Sequence, residues 1–430
     1  VRRRVLRPLG EFAFSSGRST GRRMKAMSVL TGVLSMPLIR QAVPVFEAAS
    51  PYLGRRAKDI LRLAIAKVQF GAGDYGAARR LFDLVGEGPE RAEADLMVDW
   101  IDYKFGHVGG GWPRYAVARF DPPQLARVAP GTGPVRVRNF NRPVELVDGL
   151  GLRAWRPGER PDGPVLVWFN FHDSLGGEVL ASKVIAAFQA QAGANFMLAV
   201  DERHVTAIRQ NFPDTPVIAK SSDLRPLAGK VWGYFLARDA LAEVVRCEAD
   251  FAKVAGRTFL APVAAPPSQP RIRPIIAVAW KTTNRRQRRF RNLPIGEFAS
   301  LLSGIDADFV SAQHSTTRSE REFLTRRLDG RIRFDVIDTS SDLASLATAL
   351  SACDGVVTID NSVLHVAGGF GVPTLALLAV PSYWAWPVRG SDCRWYPSVR
   401  LVHQTVPGRW AGALSQATAI LQDWRGGSFE

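Results

Sequence analysis

The chain has 430 residues, too many for one ordinary core, so two or three domains are expected. Hydrophobic residues make up 46% and charged residues 22%, a balance that excludes extensive disorder. A net charge of +16 suits phosphorylated small molecules, an anionic membrane or nucleic acid. Without an RNA-recognition, helix-turn-helix or zinc-finger signature, nucleic acid is the poorest of these partners.

Much of the charge sits at the start, where Arg2, Arg3, Arg4, Arg7, Arg18, Arg22, Arg23 and Lys25 face Glu11 alone. The apolar stretch Met27 to Ile39 is broken by Gly32 and Pro37. It reads as a basic amphipathic helix that packs on the body or touches a membrane face, in preference to a secretory signal. No apolar run is long enough to span a membrane. Cys247, Cys353 and Cys393 are far apart and lack zinc spacing, which suggests a reducing compartment. The expectation is a cytoplasmic protein, with peripheral contact at the inner membrane face through its basic N-terminus.

Residues 1–115 read as a helical N-terminal region. Its clearest piece is Lys58 to Val85, a helical hairpin turning at Gly73-Asp74, with Ala66 and Ala78 at the close crossing and Phe82 filling the gap. It resembles one tetratricopeptide hairpin, and an ordinary hairpin explains it equally well. Gly109-Gly110-Gly111 and the Pro-rich run Pro122 to Pro134 end this region. Short strand-like pieces, Val135 to Phe140 and Val144 to Val147, follow.

The run Val165 to Asn170 reads as a strand buried on both faces. Loop His172 to Gly177, helix Glu178 to Gln191, strand Phe196 to Val200, a helix near Val205 and strand Val217 to Ala219 complete a first Rossmann-like domain, 116–260. Pro262, Pro266, Pro267, Pro270 and Pro274 mark a linker over 261–274. A second alternation fills 275–430. Strands are expected at Ile275–Trp280, Phe309–Ser311 and Ile332–Ile337, and helices at Ile295–Leu302, Arg318–Leu328 and Asp342–Cys353. A last amphipathic helix, Trp410 to Trp424, is available to cross back to the first domain.

The stretch Gly355 to Ala379 is the focus of this second domain. A strand over Val356–Ile359 leads into the turn Asp360-Asn361-Ser362, a helix from about Val363, and a further strand over Leu375–Ala379. Such a turn lies outside the carboxyl end of a parallel strand, where open α/β sheets bind ligands. The free N–H groups and dipole of the new helix suit a phosphate. A basic knot joins Lys281 with Arg285, Arg286, Arg288, Arg289 and Arg291, of which the cluster Arg285–Arg291 is read as a solvated or acceptor-facing loop.

Several segments, in order, resemble the GT-B glycosyltransferases: Ser174 to Leu180, Asp201-Glu202-Arg203, Asn211-Phe212-Pro213, Ala279-Trp280-Lys281, Phe309 to Gln313, Asp354 to His365 and Trp395-Tyr396-Pro397. The resemblance is nearest to tetratricopeptide-linked bacterial glycosyltransferase-like proteins. It extends to the heptosyltransferases of lipopolysaccharide assembly and to O-linked N-acetylglucosamine transferases.

The resemblance implies an α/β fold of two Rossmann-like domains (GT-B) behind the helical region. The implied activity is metal-independent, inverting transfer of a sugar from a nucleotide-diphosphate donor, with no cofactor. The acceptor is a hydroxyl of a bacterial cell-surface glycan, a lipid-linked saccharide or a protein. Donor contacts are expected at Lys281, Thr282, Gln313, Asp360, Asn361, Ser362, Val363 and His365. Helix caps for Asp360 and Ser362, a core histidine for His365 and a surface lysine for Lys281 remain as alternatives.

A hydroxyl acceptor needs a general base. Where the heptosyltransferase-like loop has an aspartate, this chain has Gly177, so the expected bases are Asp173, then Glu178, then His172. Asn361-Ser362 also replaces the usual Thr-Gly or Thr-Ala of the donor turn. A non-catalytic GT-B-derived binding or scaffold protein is the alternative. A nucleotide-sugar epimerase or other Rossmann enzyme is a poor reading, because no Gly-x-Gly-x-x-Gly follows the first strand of either domain, and His172-Asp173-Ser174, adjacent in one loop, cannot form a hydrolase triad.

Overall fold

A computed structural model describes residues 54–88, 90–105, 150–169, 175–256, 272–282, 288–339 and 342–424. The basic N-terminal helix, the strand pieces at 135–147, most of the Pro-rich linker, Arg285 and Arg286 lie outside the described residues, as do His172 and Asp173. The chain divides into two compact units, 1–98 and 99–430.

In the first unit, α1 (Arg55–Gly71) and α2 (Tyr75–Asp83) form the expected hairpin. Gly73 takes a φ of 78° at the turn, a conformation glycine adopts without steric cost. Asp74 then caps α2 by accepting from the Ala77 N–H at 3.0 Å. Ala66, Ala78 and Phe82 are all fully buried.

The helix α3 (Arg91–Lys104) ends inside the second unit, which holds two parallel sheets. The first contains β1 (Arg153–Ala154), β2 (Val165–Trp168), β3 (Phe196–Val200), β4 (Val217–Ala219) and β5 (Gly233–Leu236), in the order β1-β5-β2-β3-β4. Helix α4 (Leu175–Ala192) follows β2, α5 (Val205–Asn211) follows β3, and α6 (Ala240–Val244) follows β5. The second sheet contains β6 (Ile275–Ala279), β7 (Asp308–Ser311), β8 (Ile332–Arg333), β9 (Gly355–Ile359), β10 (Thr374–Leu378) and β11 (Val399–His403), in the order β11-β10-β9-β6-β7-β8. Its helices are α7 (Arg288–Arg291), α8 (Ile295–Ser303), α9 (Arg318–Arg327), α10 (Leu343–Ser351), α11 (Ser362–Gly369) and α12 (Ala411–Asp423). This is the two-domain α/β fold class expected from the sequence.

The strands read as unbroken apolar runs because both faces are covered. Side chains alternate across a strand, so Ala277 and Ala279 of β6 join one core while Ile276 and Val278 join another. In β2, Val165 and Val167 face one core, and Leu166 and Trp168 the other. The core with Val165 and Ala277 is continuous between the sheets, because α4 packs against α11.

Two expectations are corrected. Among the described residues, helix α12 buries Ala413, Ala417 and Leu421 in the core of its own sheet and joins no core of the first. The strand expected over 332–337 stops at Arg333, before Asp335 turns to a φ of 59°. The strands β1, β5 and β11 were not anticipated. Their apolar runs are short, and β5 begins at a glycine.

Candidate functional site

In the second sheet β6 lies between β7 and β9, so the chain leaves β6 toward β7 and β8, then returns to place β9 on its other side. The carboxyl ends of β6 and β9 therefore flank a topological switch point, the place where open α/β sheets bind ligands. Lys281 and Thr282 follow β6, and Asp360, Asn361 and Ser362 follow β9. The fold thus brings most of the expected donor contacts to one crevice.

Their hydrogen bonds divide the labour among them. Asn361 is the N-cap of α11, its Oδ1 accepting from the Leu364 N–H at 3.3 Å and from the Thr358 hydroxyl at 3.1 Å. Within α11 the first-turn N–H groups of Ser362 and Val363 lack helical acceptors, and the dipole adds positive potential there. The Val363 side chain turns into the core, leaving its backbone for any ligand. Gln313, just beyond β7, accepts from the Trp280 N–H at 3.1 Å and the Lys281 N–H at 2.9 Å. Its carbonyl oxygen is thereby committed to holding two strand ends together. Thr282 donates its N–H to Asn292 Oδ1 at 2.8 Å.

Lys281 was expected to be the cation facing a diphosphate, and its Nζ lies 2.6 Å from Glu320 Oε2 and 2.8 Å from Oε1. Glu320 is also the N3 residue of the capping box that starts α9, bonded to Thr317. The positive charge of Lys281 is already matched in this state. Arg291, at the end of α7, stands closer to the helix start: its Nη2 is 3.2 Å from Asp360 Oδ2, and its Nη1 donates to the Asp360 carbonyl at 3.4 Å. Asp360, almost wholly buried, also accepts from the Tyr383 N–H at 3.1 Å. It thus holds both Arg291 and the 381–388 loop against the turn.

A buried lysine completes this arrangement. Lys104 Nζ donates to the Ser382 hydroxyl at 2.8 Å, the Tyr383 carbonyl at 2.9 Å and the Trp386 carbonyl at 3.2 Å. Burial pulls its ammonium down to about 7, against an attraction to Asp360. The unfolded chain keeps this proton up to about pH 10.4. Between those values it holds more protons than the folded chain, so stability should rise with pH across that window. Denaturant unfolding at pH 7 and pH 9 should show that rise in the wild type and a smaller one in Lys104→Met.

His365 and Glu178 both lie in buried surroundings. His365 is buried, with Nδ1 3.1 Å from the Tyr396 hydroxyl and its ring 5.0 Å from that of Trp386. Burial pushes the imidazole down to about 4, so it is neutral at pH 7 and cannot offer a diphosphate positive charge. Its face lies against Gly176 at the start of α4. Glu178 is also buried: it takes the Asp201 N–H at 2.9 Å and the Lys220 ammonium, and His204 Nδ1 approaches Oε2 to 2.8 Å without the alignment of a full hydrogen bond. Burial works to raise its carboxyl, but His204 and Lys220 prevail and hold it below the usual range. A carboxylate so fully engaged fastens α4 to the ends of β3 and β4 and is no free base.

Sequence reasoning missed Glu320, Arg291 as an individual contact, Lys104, and the pair Arg238-Asp239 at the end of β5. A signal for the last existed in Gly233-Tyr234-Phe235-Leu236, an apolar run ending in charge as strand ends do beside a crevice. Lys104 carried none, because its partners are some 280 residues away.

Fold and site together define a two-domain α/β protein with a helix start, Asp360 and Arg291 gathered at a topological switch point. No family model matches the chain. Protein FlbA of Caulobacter vibrioides is 27% identical over 154 residues, 35% of this chain, and the match spans 25% of that protein's length. Among solved structures, ADP-heptose LPS heptosyltransferase II of E. coli is 15% identical, with a TM-score of 0.38 over 60% of this chain and 98% of that one. A glycosyl transferase family 9 protein of Veillonella parvula is 12% identical, with a TM-score of 0.34 over 61% and 92%. An O-GlcNAc transferase of Thermobaculum terrenum is 13% identical, with a TM-score of 0.30 over 95% and 91%. With scores this low, the function has to be read from the chain's own strands and side chains. Among the described residues, no helix is long and apolar enough to cross a membrane.

Proposed function

We propose that this protein is a glycosyltransferase that moves a sugar, with inversion and without a metal, from a nucleotide-diphosphate donor to a hydroxyl of a glycan, lipid-linked saccharide or protein. The observation that carries this reading is the switch point between β6 and β9, which sets the start of α11 beside Arg291, with Lys281 following the neighbouring strand β6. As the glycosidic bond breaks, negative charge collects on the departing diphosphate. Fixed N–H dipoles and a guanidinium are the groups that stabilise such charge without reorganising.

The pairing in the crevice gives the test. Calorimetric titration with UDP, ADP and GDP should find at least one that binds at micromolar to submillimolar concentration. Arg291→Ala should weaken that ligand about tenfold or more, the scale of losing a charge-assisted hydrogen bond. Glu320→Gln should tighten it, because Lys281 then has no competing carboxylate. Absence of binding by all three at millimolar concentration would sink the reading. The binding-only alternative draws on Gly177, where the related loops carry an aspartate. It predicts nucleotide binding with no turnover of any sugar donor.

A further inference from the structure

The first sheet has its own switch point. β2 lies between β3 and β5, with β3 and β4 on one side and β5 on the other. The carboxyl ends of β2 and β5 flank this second crevice. What β5 delivers there is the turn Ala237-Arg238-Asp239, packed against α4, whose first turn in turn meets His365 of the donor domain.

Asp239 stands at the N-cap position of α6 yet makes no capping hydrogen bond. Asp239 closes the turn 237–239 with helical φ and ψ and α6 continues directly from it, so its carboxylate is not engaged in a cap. Its Oδ1 meets Arg238 Nε at a loose 3.4 Å, and its Oδ2 has no hydrogen-bond partner among the described residues. The side chain keeps 18% of its surface open, against 4% for Arg238. Burial pushes its carboxyl up to about 6, with Arg238 opposing. A carboxylate in that condition has a higher proton affinity than an ordinary surface aspartate and is still reachable.

The other carboxylates at strand ends of this sheet are occupied. Asp201 chelates Arg203, with Nε at 2.8 Å and Nη2 at 3.0 Å, and Glu178 is held by Lys220 and the Asp201 N–H. The ionisable groups of the helix packed on the turn are also engaged elsewhere: Lys183 donates to the Trp395 carbonyl at 2.9 Å and the Ala255 carbonyl at 3.3 Å. Among the described groups Arg238 is the charge acting on Asp239, and Tyr234 on β5 feels it in return.

We propose that Asp239 is the acceptor-side base of this protein; this rests on the glycosyl-transfer reading above. The acceptor oxygen forms a bond to the anomeric carbon as the anomeric C–O bond to the diphosphate breaks. The electron pair of that bond leaves on the nucleoside diphosphate, and the acceptor's O–H proton passes to Asp239 Oδ2. A carboxylate that titrates near 6 is matched to this task at neutral pH, since it is ionised at rest and basic enough to help.

The test is Asp239→Asn, an isosteric change, measured three ways on the full chain. Nucleoside diphosphate affinity, by calorimetry, should stay within a few-fold of the wild type. Release of UDP, ADP or GDP from the matching sugar donors in water should fall by about 10²–10⁴-fold, and the acid limb of the wild-type pH profile near 6 should vanish. The melting temperature at pH 8 should be unchanged or higher, because the variant no longer buries a charge that raises its own pKa. A release rate within tenfold of the wild type overturns the assignment. So does a fall in melting temperature accompanied by loss of nucleotide binding, which is the signature of a structural aspartate. A wild type that binds nucleotide and turns over no donor overturns it as well. Failure of the wild type to bind any nucleotide falls on the glycosyl-transfer reading itself, and is recognised by the calorimetry alone.

Discussion

Glu178→Ala should destabilise the folded chain by about 3–5 kcal/mol, the range for removing one partner of a buried ion pair. The carboxylate is 4% exposed, and it is the acceptor for the Lys220 ammonium and for the Asp201 N–H at 2.9 Å. Without it, Lys220, itself 5% exposed and 5.7 Å from the Trp168 ring centroid, keeps a buried charge that the ring compensates only in part. The start of α4 also loses its tie to the ends of β3 and β4. Urea unfolding monitored by tryptophan fluorescence reads the loss directly, and a change below about 1 kcal/mol would show that the cluster does not bear on stability. The same pair gives a pH signature. The folded-state pKa of Glu178 lies below its unfolded value, so its contribution is fully present above about pH 4.5 and is lost as pH falls through the folded value. Acid unfolding of the wild type should therefore be steeper than that of a Glu178→Met/Lys220→Met double variant, in which this buried ion pair is absent.

Gly176→Ala should destabilise the chain by about 1–3 kcal/mol, as overpacking does, and should weaken nucleotide binding together with stability. A Cβ at this position falls 2.1 Å from His365 Cδ2. The imidazole has little room to yield, since Tyr396 holds Nδ1 and the Trp386 ring lies alongside. The relief available is separation of α4 from α11, and α11 begins at the turn Asp360-Asn361-Ser362. Because the clash is between two named groups, it can be isolated. Gly176→Ala/His365→Ala should recover stability relative to the sum of the single changes, with a coupling of about 0.5–3 kcal/mol in a double-mutant cycle. Additive losses would place the cost of the extra methyl elsewhere.

These two predictions share a cause: both domains' helix starts are fastened by buried polar groups. Glu178 fixes the start of α4 to its own sheet, and Asn361 and Asp360 fix the start of α11 to its own. His365 then closes the gap between the two helices with a neutral ring. The histidine, one of the expected donor contacts, is buried between the two helices, while Arg291 is paired with Asp360 at the start of α11.

Much of the fold was legible in the sequence because parallel strands covered on both faces leave an unmistakable apolar run. Val356 to Ile359, Phe196 to Val200 and Val217 to Ala219 were found to within a residue. Two other short strands were not, because Arg153–Ala154 and Gly233–Leu236 owe their conformation to pairing with neighbours, β1 with β5 and β5 with β2. Missing β5 meant missing Asp239.

The amino-acid sequence by itself determined the two α/β alternations, the turn Asp360-Asn361-Ser362 at a helix start, and the order of segments resembling glycosyltransferases, because these depend on local periodicity and chain order. The tertiary structure alone decided which charges are spent and which are available. Lys281 met Glu320 across 39 residues, Lys104 met the 381–388 loop across some 280, and Glu178 met Lys220 across 42, while Asp239 was left with one oxygen unclaimed among the described residues. Electrostatic pairing acts through space at a few ångströms and is indifferent to separation along the chain. The type of residue can be read in advance, but its state cannot.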